Sequence, residues 1–237
     1  MTDLHPDEVA AGIDEVVARL LADAGVVCPP VDAIALAERH LGLLVRRERR
    51  KLRGATQPLV LDPDQPEEIQ QWSAARAVGA HLKPALLGRL GLDTAEGRGL
   101  GGASLPNRVA ERLLTPTAWF ASDSASFGYE LPILKWRYRT AGSELIAARW
   151  LDLPEPCLVT VYDGERVVRR RSNAWRVTRQ PSASEQQCRR AVAASGRPQT
   201  VVRGGWTVRG WAVADPVPRI ILRSVVDEEA LREPAAE

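Results

Sequence analysis

Pro154-Glu155-Pro156-Cys157-Leu158-Val159-Thr160-Val161-Tyr162-Asp163-Gly164-Glu165-Arg166-Val167-Val168-Arg169-Arg170-Arg171 is the stretch at which this chain changes character. Two prolines close off what precedes it. Cys157–Tyr162 then reads as a strand, Asp163-Gly164 as a turn and Arg166–Arg171 as the returning strand of a hairpin. Further on, Ser184–Ala194 has helical texture. Thr200–Arg203, Trp206–Val213 and Arg219–Val225 read as strands, with Gly204-Gly205 as a tight turn. Trp206 and Trp211 are expected in the core of this half.

Before Pro154 the periodicity is helical. Pro6, with Asp7 and Glu8 in the first turn, opens a helix whose apolar residues Val9, Ile13, Val16, Val17, Leu20 and Leu21 follow at helical spacing until Gly25. After Pro29-Pro30 a second helix runs from about Val31 to His40. Two short β-type runs follow, Leu43–Arg46 and Pro58–Leu61. Glu67 begins a long helix with Ile69, Trp72, Ala75, Gly79 and Leu82 as its expected buried stripe, and Pro84 is expected to kink or divide it. A short helix over about Pro106–Leu114 follows a loop-like segment at 93–104. Glu130–Tyr138 and Ser143–Leu151, joined through Thr140-Ala141-Gly142, have the outline of a helix-turn-helix. The expected fold is therefore α+β. It comprises a helical module with a small sheet at 1–125, a helix-turn-helix-like bridge at 126–153, a small mixed α/β module at 154–228 and an acidic tail at 229–237.

Composition narrows the function classes. With 237 residues, 45% hydrophobic and 26% charged, the chain can bury a sizeable core and is not a disordered polyelectrolyte. No apolar run reaches the ~18 residues of a membrane span. The acidic start Met1-Thr2-Asp3-Leu4-His5 lacks the basic and apolar regions of a signal peptide, so a cytoplasmic protein without a membrane partner is expected. Cys28, Cys157 and Cys188 lie far apart in no metal-binding pattern and read as free buried thiols.

Charge is unevenly placed. The first 42 residues are acidic, whereas Arg46, Arg47, Arg49, Arg50, Lys51 and Arg53 crowd around Glu48. This first basic run reads as a protected edge strand. Residues 166–180 carry Arg166, Arg169, Arg170, Arg171, Arg176 and Arg179 without one acid. With Trp175 among them, these arginines are candidates for nucleic-acid or partner binding, because guanidinium groups hold phosphates and an aromatic ring stacks on bases. A solvated, positively charged hairpin edge is the competing reading. In a regular strand Val167, Arg169 and Arg171 would share one face and Arg170 would take the other.

The order of elements resembles the ImmA/IrrE family of zinc metallopeptidases over most of the chain. Val31–Gly42 resembles that family's opening helix, and Leu52-Arg53-Gly54-Ala55 the start of its small sheet. Asn107-Arg108-Val109-Ala110-Glu111-Arg112-Leu113-Leu114-Thr115-Pro116 is similar to its Ala-Asn-x-Phe-Ala-x-x-Leu-Leu-x-Pro helix. Leu134–Tyr138 through Arg149–Leu153 is similar to the helix pair that follows its peptidase core. Activity in that family needs His-Glu-x-x-His, two zinc ligands one helical turn apart with a glutamate as general base. The resemblance places Arg76 and Ala80 at the ligand positions and Ala77 at the base, and only Gly79 matches. No carboxylate lies between Gly97 and Ala110 to supply the third ligand, and no two histidines of the chain are closer than 35 residues. Arg76 and Lys83, on one helix face with Ala80, would repel a divalent cation.

The chain therefore reads as a non-catalytic pseudo-peptidase, a regulatory binding protein without a metal or cofactor. The resemblance implies an XRE-type repressor as its protein partner, or a part in a stress-response circuit. The alternative is a DNA-binding protein using the helix-turn-helix-like segment and Arg166–Arg179. Three further candidates read as ordinary structure. Gly97-Arg98-Gly99-Leu100-Gly101-Gly102 fits G-x-G-x-x-G but lacks the preceding strand, so it reads as a loop. His81 near Ser73 or Cys28 lacks local support as a nucleophile–base pair. Glu67-Glu68 suit a helix N-terminus.

Overall fold

The computed structural model describes residues 5–49, 59–92 and 104–226. The chain divides into two compact units, Met1–Gly142 and Ser143–Glu237. The division falls inside the 126–153 stretch read from sequence as a bridge. Leu52–Ala55, the loop at 97–102 and the tail at 229–237 lie outside the described residues. The architecture is α+β, as the sequence implies.

In the first unit, α1 (Pro6–Asp23) begins with a capping box. The His5 side chain accepts from the Asp7 amide while Glu8 accepts from the His5 amide. Its buried face is Val9, Gly12, Ile13, Val17, Leu20 and Leu21. The next helix, α2 (Ala33–Ala35), continues as a π-helical turn at Leu36–His40. Strands β1 (Val45–Arg47) and β2 (Leu59–Leu61) form a parallel pair. The long α3 (Glu67–Arg89) packs against α4 (Ser104–Leu114), followed by α5 (Thr117–Ser126) and α6 (Leu131–Arg137).

Two expectations for this unit are corrected. Pro84 does not divide α3, which runs unbroken over Glu67–Arg89 with Ala80 and Pro84 both exposed. The buried face of α3 is Gln71, Ala74, Ala75, Val78, Gly79, Leu86 and Leu87, while Ile69, Trp72 and Leu82 are only half-buried. The stripe is displaced because polar Gln71 belongs to it. Its carbonyl oxygen accepts from the Ala33 amide at 2.8 Å and its amide donates to Asp32 at 3.0 Å, so a core side chain caps α2. One helix, α5, has no counterpart in the sequence reading. Its Ser, Thr and Asp content lowers local propensity, and burial of Phe120 against Tyr138, with ring centroids 5.5 Å apart, outweighs that.

The second unit opens with α7 (Ser143–Arg149) and a 3-10 turn at Trp150–Asp152. Five antiparallel strands follow: β3 (Leu158–Asp163), β4 (Arg166–Ser172), β5 (Gln199–Arg203), β6 (Trp206–Val213) and β7 (Arg219–Val226). Their order is β4-β3-β7-β6-β5, so the first hairpin pairs with the last strand of the chain. A single helix, α8 (Ala183–Ser195), covers one face through Cys188 and Val192, packed on Tyr162, Val208 and Leu222. That helix lies close because β6 carries Gly210 beneath it. A Cβ there would stand 2.5 Å from Leu222 Cδ2 and 2.9 Å from Val192 Cγ2. On the other face Trp150 and Trp211, both buried, meet with ring centroids 5.7 Å apart. Trp211 thus sits in the core as expected, and Trp206 is half-buried at its margin.

Candidate functional site

The residues that the sequence reading aligns with a metallopeptidase motif lie on α3. Arg76 and Ala80 are exposed on α3, Ala77 is half-buried, and His81 is exposed one residue further on. No cluster of His, Cys, Asp or Glu suited to a metal ion occurs among the described residues. Gly79, the residue that matches the resembled motif, has a packing role. A Cβ at that position would stand 2.6 Å from the Pro106 carbonyl oxygen, so a glycine lets α3 and α4 approach. Ser73 donates its hydroxyl to the Ile69 carbonyl at 2.9 Å, a bond within its own helix.

The first basic run is partly neutralised. Arg49 lies 2.9 Å from Asp64 and Arg46 3.8 Å from Glu48, both at exposed sites. Arg50, Lys51 and Arg53 lie outside the described residues.

The second basic run is where sequence and structure differ most instructively. A β-bulge at Val168 shifts the β3–β4 register, so that Val161 opposes Arg169 but Tyr162 opposes Val167. Val167 therefore lies on the side of Arg170, packed at the margin of the α8 core, and not beside Arg169 and Arg171. Arg170 is turned inward. Its Nη2 donates to Glu185 Oε2 at 2.8 Å, its Nε to Oε1 at 3.1 Å, and its Nη1 to the Thr178 carbonyl at 2.5 Å. Glu185 also accepts from the Thr160 hydroxyl at 2.6 Å and from the Ser182 amide at 2.8 Å. Burial alone would raise the Glu185 carboxyl, but the hydrogen bonds from Arg170, Thr160 and the Ser182 amide outweigh it and hold the group below the usual carboxylate range. Arg170 thus joins β4 to α8, whereas Arg166, Arg169, Arg171, Arg176 and Arg179 are exposed.

Trp175 belongs to this surface in a way the sequence does not reveal. Its ring meets Trp206 with centroids 5.2 Å apart in a T-shaped arrangement, and both rings are half-buried. The segment after β4 is fixed by Ser172, whose hydroxyl accepts from the amides of Ala174 and Trp175 at 3.1 Å. Asn173 donates to the carbonyls of Leu153 and Glu155.

Both helices of the helix-turn-helix outline form. On α7, Glu144, Leu145 and Ala148 are half-buried and the other residues are buried. On α6, Trp136 is 76% exposed and Ile133 43% exposed, an apolar face. The cysteines also need one correction. Cys157 and Cys188 are buried as expected, whereas Cys28 is exposed because it sits in the turn before Pro29-Pro30. Burial pushes the Cys188 thiol up to about 11.

No family model matches the chain, and no curated protein matches it. Among the described residues no helix is long and apolar enough to cross a membrane. Among solved structures the chain is similar to a Mycobacterium tuberculosis transcriptional regulator, at 16% identity and a TM-score of 0.68, covering 94% of this chain and 81% of that one. The likeness shows that the two chains share a fold.

Proposed function

We propose that this chain is a non-catalytic regulatory binding protein of the cytoplasm, a pseudo-peptidase that acts by holding one state of a transcriptional repressor of the XRE type. The observation that carries the reading is the surface of α3. Exposed Arg76 and Ala80, with Ala77 between them, supply neither ligand nor base, and the cation at Arg76 opposes a divalent metal. The shared fold with a chain named as a transcriptional regulator fits this role. Binding without cleavage shifts the partner's population by the difference in affinity for its two states. The test is to incubate the protein with an XRE-type repressor, with and without zinc or manganese. A complex with an intact repressor is expected, and metal-dependent cleavage overturns the reading.

A second reading, direct nucleic-acid binding, is favoured by the exposed arginines of β4 and the segment after it. It predicts affinity that falls steeply with salt, in proportion to the phosphates neutralised.

A further inference from the structure

We propose that one end of the five-stranded sheet is a single-stranded nucleic-acid site, in which Trp175 and Trp206 form a stacking platform and Arg176 and Arg203 grip the phosphates on either side. The proposal deepens the nucleic-acid reading and rests on it.

The β registers bring these residues together. Leu158, Ser172, Trp206 and Val226 all stand at the same end of the sheet, and Arg203 is the cross-strand partner of Trp206. Trp206 meets Trp175, and Arg176 follows Trp175 in the chain. Arg203, Trp206, Trp175 and Arg176 are thus gathered at one end of the sheet, the two arginines exposed and the two indoles partly so. Arg179 adds a further exposed cation on the same connecting segment. Ser184 binds the Arg203 carbonyl at 3.3 Å, which ties the β5–β6 turn to the first turn of α8.

Glu155 is an exposed acid at this end of the sheet, beside Asn173, but the other acids of the hairpin and of α8 are placed elsewhere or paired. The hairpin acids Asp163 and Glu165 stand at the opposite end of the sheet, 2.5 Å from Arg219 and 3.3 Å from Arg189 respectively, and Glu185 is spent on Arg170. Guanidinium groups spaced around aromatic rings suit a strand whose bases are free to stack, whereas a duplex keeps its bases stacked on one another.

The test is fluorescence anisotropy of labelled oligothymidine and of a duplex of equal length with the full chain, at two salt concentrations. The wild-type protein is compared with Trp175→Ala, with Arg176→Gln/Arg203→Gln, and with Arg197→Gln, an exposed arginine before β5 at the end of the sheet away from Arg203. We expect single strand to bind more tightly than duplex. The first two variants should each lose about tenfold or more in single-strand affinity, and Arg197→Gln should lose much less. The arginine pair lies on the surface, so its result stands even if Trp175→Ala perturbs packing. Binding in which both variants match the wild type overturns this site while leaving the nucleic-acid reading in place. Absence of binding to either probe overturns both.

Discussion

Arg170 and Glu185 form a buried ion pair, Nη2 to Oε2 at 2.8 Å, with side chains only 10% and 1% exposed. It fastens the edge strand β4 to α8 and is joined by Thr160 from β3. Replacing Arg170 with Met leaves a carboxylate buried without its cation, which costs about 3–5 kcal/mol. Urea unfolding at neutral pH should show that loss as a lower midpoint with an unchanged slope.

The same pair sets an acid limit. The folded-state pKa of Glu185 is depressed, so its contribution is present above the unfolded carboxylate pKa and is lost as pH falls through the folded value. In the Arg170→Met protein the cation is gone and burial raises the carboxyl instead. The stability gap between variant and wild type should therefore narrow on acidification from pH 7 toward about pH 4. A gap that stays constant over this range, measured by thermal melts, would show that Glu185 does not couple to Arg170.

Two glycines of α3 should respond in opposite directions to the same substitution. Gly79→Ala forces a Cβ against the Pro106 carbonyl and destabilises by about 1–3 kcal/mol. Gly88 is exposed with open space around it, so Gly88→Ala stabilises by about 1 kcal/mol through helix propensity. Paired denaturation curves measure both.

Thiol labelling should divide the cysteines. Cys28 is exposed and reacts promptly with a maleimide, while burial raises both Cys157 and Cys188 and shields them. One adduct by mass spectrometry of the native protein, and three after unfolding, is the expected result.

Much of the fold was legible because the apolar periods are clean. The strand runs after Pro154 and the helices at Pro6–Asp23 and Glu67–Arg89 follow directly from spacing. What escaped the sequence did so for identifiable reasons. Gln71 enters the core because it caps α2, a tertiary role that no local pattern announces. The helix Thr117–Ser126 forms from weak helix formers through burial of Phe120. The bulge at Val168 reassigns the side taken by Val167, which moves one member of the basic segment into the core margin. Of the candidate binding residues, the sharing of one side of β4 by Arg169 and Arg171, with Arg170 on the other, was readable from strand alternation. The contact of Trp175 with Trp206 required the strand order itself.

The central claim, binding without catalysis, is tested most directly by mass spectrometry of an XRE-type repressor incubated with the purified protein in the presence of zinc. The account predicts a repressor of unchanged mass held in a complex with this chain. Repressor fragments that form only when metal is present, and that vanish with a chelator, would contradict it.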